Sequence, residues 1–148
     1  MKFIIAIPIL LLSMMNTANS KTPIETLLES DAMVNEAALT AYSMSRTFPI
    51  AIKHCKQFNA SLAEELQALF DEYSQFTEEM ILLGEKIAQS GTKEMSSKEI
   101  NRKILDAEEK VEEHFRNPEK RNEQSCLGFK AMLEFDLMFL RRKHNGNE

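Results

Sequence analysis

Few side chains in this sequence could do chemistry. The chain has three histidines, His54, His114 and His144, and two cysteines, Cys55 and Cys126. A di-iron helical bundle requires a glutamate three residues before each ligating histidine, and no histidine here has one. The His-Glu-x-x-His zinc signature is also absent. We therefore predict no metal site; a zinc ion held by His54, His114 and a nearby carboxylate is the alternative that the sequence leaves open.

Nucleophilic catalysis has no candidate either. The chain lacks the Gly-x-Ser-x-Gly turn of hydrolases and the Cys-x-x-Cys motif of redox proteins. We predict instead that Cys55 and Cys126 pair in a disulfide, which would close a loop of about 70 residues and stabilise the fold by roughly 4 kcal/mol. The expected protein is not an enzyme and holds no cofactor.

The N-terminus has the pattern of a cleavable signal peptide. Lys2 precedes an apolar run, and small residues at Ala18 and Ser20 fit a signal-peptidase site. The run is too short for an ordinary transmembrane helix, so no membrane anchor is expected after cleavage. We predict a signal peptide over residues 1–20, one helical domain over residues 21–148, and a periplasmic or secreted location. The net charge of −5 argues against nucleic-acid binding, which needs a basic surface.

Capping patterns and breakers predict four helices. Helix 1 is predicted to start at Thr22-Pro23 and to run to about Arg46, because Pro49 disfavours helical geometry just before it. Residues 49–58 form a further helical piece, which is either a kinked continuation of helix 1 or a separate short helix.

The remaining three helices have their own start and stop residues. Helix 2 is predicted from a capping box at Ser61 to Gly91, and helix 3 begins at a capping box at Ser96. Helix 4 is predicted from Asn117-Pro118 to residues 141–144, where basic side chains suit the helix dipole. We predict an all-α protein that folds as an antiparallel four-helix bundle, with the disulfide joining helices 1 and 4 at one end.

Predicted helix 4 is apolar on two sides, although a bundle helix needs only one buried stripe. Counted at 100° per residue, the expected core face carries Cys126, Phe129, Leu133, Leu137 and Leu140. The second face carries Leu127, Ala131, Met132, Phe135, Met138 and Phe139. Two interpretations remain open. Either helix 4 is central and residues 49–58 cover its second face, or that face is exposed and meets a partner, a second copy or an apolar ligand.

The preferred functional prediction is an exported, non-enzymatic helical protein that binds another protein, as an inhibitor, adaptor, chaperone or immunity-type factor does. The partner is expected to be another protein or a second copy of this chain. The predicted partner-binding residues are Leu127, Met132, Phe135, Met138 and Phe139.

The alternative is a carrier of an apolar small molecule or haem inside the bundle. A haem held by histidine and methionine requires both ligands on faces that point into the bundle. His144 lies on the expected core face of helix 4, but Met33 lies opposite the apolar stripe of helix 1. The periodicity therefore argues against this haem site.

Overall fold

In the computed structural model the described residues are 23–145, with side chains described for 31–143. The predicted signal peptide lies outside the described residues. Five helices occupy the described chain: α1 (Pro23–Cys55), α2 (Ala60–Phe76), α3 (Glu78–Ser90), α4 (Ser97–Arg116) and α5 (Glu123–Asn145). The described chain contains no strand, so the predicted all-α helical bundle is confirmed.

Helix α1 continues through Pro49, and the predicted end near Arg46 is wrong. The buried positions keep helical spacing across the proline, with Phe48 before it and Ala51 and Cys55 after it. A proline inside a helix costs about 3 kcal/mol. Burial of several apolar side chains at about 1.5–3 kcal/mol each offsets that cost. Residues up to Cys55 are therefore the end of α1 and not a separate helix.

The single predicted helix 2 is two helices separated by Thr77. The buried Thr77 hydroxyl donates a hydrogen bond to the Tyr73 carbonyl oxygen at 2.7 Å, and the Thr77 amide donates to the same oxygen. A threonine that bonds back to the preceding turn competes with the regular helical ladder. The break lies at this residue, and α3 continues from it to Gly91, which has a positive φ of 79°.

Three predicted starts have different outcomes in the structure. The capping box at Ser96 with Glu99 is present. The start at Ser61 is wrong, because Asn59 caps α2 by accepting a hydrogen bond from the Leu62 amide. The start at Asn117-Pro118 is also wrong: residues 117–122 form turns, and α5 begins at Glu123.

Helix α1 is the central element, since it contacts each of the other four helices. Its disulfide-end half packs with α2, α5 and the end of α4 around Phe48, Leu66, Phe115 and Leu133. Its other half packs with α3 and the start of α4 in a second apolar cluster. Within the described chain, no Cα atom of α4 comes within 8 Å of one in α5, so these two helices border an open groove above α1.

Candidate functional site

The two cysteines form the predicted disulfide. Cys55 ends α1 and Cys126 lies in the first turn of α5, with their Cα atoms 5.7 Å apart. Neither cysteine has any exposed surface. The bond fixes α5 against the end of α1, so it determines which side of α5 faces the core.

His54 and His114 reach the same end of the bundle, where each has its own partner. The His54 ring stacks on Phe115 and its Nε2 lies 2.9 Å from a Glu112 carboxylate oxygen. That contact lowers the pKa of Glu112. The His114 ring lies edge-on to the same phenylalanine, and its Nε2 lies 2.9 Å from the Ser125 hydroxyl oxygen. No three His, Cys, Asp or Glu side chains of the described residues are grouped to hold a metal ion.

Burial makes His114 harder to protonate. Its pKa is lowered from the ordinary histidine value mainly by desolvation, with a further contribution from the positive charge of Lys120. Its ring also lies edge-on to Phe129 of α5. The neutral imidazole therefore serves as a packing element between α4 and α5.

The second apolar side of predicted helix 4 is exposed on α5. Cys126, Leu133 and Leu137 of α5 are fully buried, as expected for a core stripe. On the opposite side of α5, the exposed fractions are 42% for Leu127, 48% for Phe135, 37% for Met138 and 42% for Phe139. We call this side the outer face of α5; it comprises Leu127, Gly128, Ala131, Phe135, Met138 and Phe139, all exposed.

The central-helix interpretation of predicted helix 4 does not match this arrangement. Residues 49–55 are the last turns of α1 and contribute Ala51, Ile52 and Cys55 to the core, so they do not cover the outer face. Phe135 and Phe139 contact each other on that face, with ring centroids 4.9 Å apart. Of the five predicted partner-binding residues, Met132 alone is half-buried; it lies beside the outer face.

Ion pairs hold the α2-facing edge of α5. Lys130 Nζ lies 2.6 Å from a Glu65 carboxylate oxygen, and Arg141 donates to Glu72 from Nε at 2.7 Å. These contacts join α5 to α2 along more than two turns. Since the disulfide and these pairs fix the rotation of α5, the outer face points away from the bundle.

The groove between α4 and α5 was not predicted from the sequence. It has a volume of about 1020 Å³, and α1 forms its floor with Met44 and Phe48. Val111 lies on its α4 side, and Met132 and Asp136 lie on its α5 side. Val111 is apolar by type, but the sequence alone could not show that α4 and α5 stand apart. Through Met132 and Gly128, the groove is continuous with the outer face.

Asp136 is the one carboxylate in this groove on the α5 side. Desolvation raises its pKa from the ordinary aspartate value. No hydrogen bond or ion pair from the described residues reaches its carboxylate, so it introduces an uncompensated charge into an apolar lining.

Two helical glycines have opposite surroundings. A Cβ added to Gly84 would lie 2.2 Å from the Ala38 carbonyl oxygen and 2.6 Å from the Tyr42 Cβ, so this glycine allows α3 to approach α1. A Cβ added to Gly128 would have no neighbour within 4 Å. Gly128 therefore has no packing role among the described residues.

Comparison with known proteins adds no assignment. No protein-family model, no curated protein and no solved structure matches this chain. Within the described residues, no helix is long and apolar enough to cross a membrane.

Proposed function

We propose that this chain is an exported, non-enzymatic helical protein that acts by binding another protein through the outer face of α5. Inhibitors, adaptors, chaperones and immunity-type factors work in this way. The observation that carries the proposal is the exposure of Leu127, Phe135, Met138 and Phe139 on one side of a helix whose other side is already buried.

The outer face has the chemistry of a binding surface. A contiguous apolar patch on a soluble monomer is rarely left uncovered and often marks an interaction site. Phenylalanine brings a large apolar area to an interface, and the flexible thioether of Met138 adapts to irregular contacts. The disulfide and the ion pairs to α2 hold this patch rigidly, which lowers the entropy lost on binding.

Two observations support export. Residues 1–20 have the charge and apolar pattern of a signal peptide. Cys55 and Cys126 form a disulfide, a bond that persists in oxidising compartments such as the periplasm or the extracellular medium.

A capture experiment with a matched control tests the proposal. Tagged, oxidised protein is incubated with the periplasmic or extracellular fraction of its own source, and bound proteins are identified by mass spectrometry. The variants are Phe135→Asp on the outer face and Leu105→Asp on α4, where Leu105 is also exposed but lies away from that face. Binding should be lost for Phe135→Asp and kept for Leu105→Asp.

A folding control separates the loss of binding from the loss of structure. Circular dichroism must show that both variants retain their helices, because a substitution on an exposed face should leave the fold intact. Equal capture by the wild type and Phe135→Asp would contradict the proposal. Global unfolding of Phe135→Asp would instead show that the outer face is needed for folding.

The groove favours a second candidate function, the carriage of an apolar small molecule. Its volume of about 1020 Å³ matches the upper end of small-molecule pockets, and Met44, Phe48 and Met132 give it an apolar lining. Lipid or another apolar compound in a solvent extract of protein purified from its source, or absorbance in the haem region, would support this function. A clean extract and a colourless protein would contradict it.

A further inference from the structure

Residue size is sorted along the central line of the outer face of α5, with Leu127 and Phe139 at its two margins. Gly128 and Ala131 lie in its N-terminal half, and Phe135 and Met138 lie in its C-terminal half. The four positions follow one another at intervals of three, four and three residues, the spacing with which one helix presents a seam to another. The central line of the outer face therefore has a shallow half followed by a protruding half.

The shallow half is not explained by the fold of one chain. Glycine in a helix interior costs about 1 kcal/mol relative to alanine. At Gly84 the close contact with α1 accounts for that cost, whereas a Cβ at Gly128 would meet nothing within 4 Å. An exposed glycine in this position leaves space for a side chain that comes from outside the chain.

We call the line through Gly128, Ala131, Phe135 and Met138 the seam; its large and small residues are complementary to those of a second copy. Gly128 and Met138 lie at equal distances in sequence from Leu133, and so do Ala131 and Phe135. When two copies of the seam run antiparallel, with the two-fold axis between them at the level of Leu133, each large residue of the seam faces a small one. This reciprocity defines an isologous interface, in which a contact between two positions occurs twice.

We infer that the outer face of α5 binds a second copy of this chain, with the two α5 helices antiparallel and the two-fold axis passing between the two outer faces at the level of Leu133 along the helix. This inference rests on the proposed function and names its partner. Phe135 of one copy packs over Ala131 of the other, and Met138 packs over Gly128. Knobs that enter such spaces bring the helices close along the whole seam.

Charge favours the antiparallel direction over the parallel one. Arg142 continues the seam beyond Met138, and in the antiparallel pair it lies level with the uncharged Gln124 of the second copy. A parallel pair would place Arg142 against its own equivalent, and like charges at one level repel. It would also place Phe135 on Phe135 and leave the two shallow halves unfilled.

Sedimentation velocity over a series of protein concentrations tests this inference on the oxidised, exported protein. The wild type should change from monomer to dimer as its concentration rises. Ala131→Phe fills the space that receives Phe135, so its dissociation constant should rise roughly tenfold or more, the range found when a central interface contact is lost. Phe135→Ala removes the knob and should have a similar effect.

The decisive variant exchanges the two side chains. Ala131→Phe combined with Phe135→Ala again places a large residue opposite a small one, so its dissociation constant should return to within roughly threefold of the wild type. Leu105→Ala, which removes an exposed leucine elsewhere, should leave association unchanged. Circular dichroism confirms that each variant is folded.

Two results would overturn the inference. One is a wild type that stays monomeric at every concentration up to about 1 mM, the level at which even weak association becomes visible. The other is a folded double variant that associates no better than either single variant. Neither result bears on the capture experiment, in which a different protein retained by the wild type and lost by Phe135→Asp would still support the proposed function.

Discussion

The same substitution, glycine to alanine, should have opposite effects at two positions in this protein. At Gly128 the new methyl group meets no atom within 4 Å, so the gain in helix propensity is the whole effect on the monomer. The free energy of unfolding should rise by about 1 kcal/mol.

At Gly84 the new Cβ would lie 2.2 Å from the Ala38 carbonyl oxygen. That oxygen belongs to the α1 backbone, which a rotamer change cannot move, so α3 must shift away from α1. Overpacking of this kind costs about 1–3 kcal/mol. Loss of apolar contact along the α1–α3 interface adds to this cost, and the propensity gain of about 1 kcal/mol offsets part of it. We expect a net loss of about 2 kcal/mol in the free energy of unfolding.

Urea unfolding followed by circular dichroism measures both changes. The protein is kept oxidised and dilute, so that association does not contribute to stability. Because urea slopes are about 1–3 kcal/mol per M, the midpoint for Gly84→Ala should fall by about 1 M while that for Gly128→Ala rises. Equal midpoint shifts in the same direction would contradict either the close packing of α3 on α1 at Gly84 or the open space at Gly128.

Three further predictions concern other parts of the molecule. The double variant Cys55→Ala/Cys126→Ala should lose roughly 4 kcal/mol of unfolding free energy, measured in urea, because its unfolded chain is no longer cross-linked. Unchanged stability would show that the disulfide does not stabilise the fold. The pKa of His114 is lowered in the folded state, so the unfolded state binds the proton first and the free energy of unfolding falls as the pH drops below about 6.5. In the same urea assay, His114→Gln should lose less unfolding free energy than the wild type between pH 7 and 5. The pKa of Asp136 is raised in the folded state, so its charge lowers stability at neutral pH and this cost disappears on acidification. Asp136→Asn should therefore be more stable than the wild type at pH 7, and the difference in unfolding free energy should shrink towards pH 4. A difference independent of pH would contradict this cause.

The fold was largely predictable from local signals, and the errors have identifiable causes. The capping box at Ser96 and the terminating Gly91 were predicted because each depends on neighbouring residues alone. The sequence left open whether α1 continues through Pro49, since this depends on the burial of Phe48 and Cys55 against helices distant in sequence. The break at Thr77 was not predicted, because the apolar periodicity continues across it and no glycine or proline marks it.

The candidate site was predictable in part. Periodicity separated the two apolar sides of α5, and Leu127, Phe135, Met138 and Phe139 are exposed on the second one. The groove could not be predicted, because it arises from the separation of α4 and α5 over α1, a property of packing and not of either helix alone. His54 and His114, the two histidines of the alternative zinc site, lie at one end of the bundle, where both rings contact Phe115.

The central position of α1 explains why the second side of α5 is not needed for the core. A central helix must be apolar on several sides, and α1 has that role because it contacts α2, α3, α4 and α5. Helix α5 therefore needs only the stripe that contains Leu133 and Leu137 to complete the core. Apart from Met132, which packs against the core, its second stripe exposes apolar surface to water, and folding of one chain does not bury that surface. Binding by a second chain removes that cost, and the sorted sizes from Gly128 to Met138 specify the orientation in which a copy of the same helix would fit.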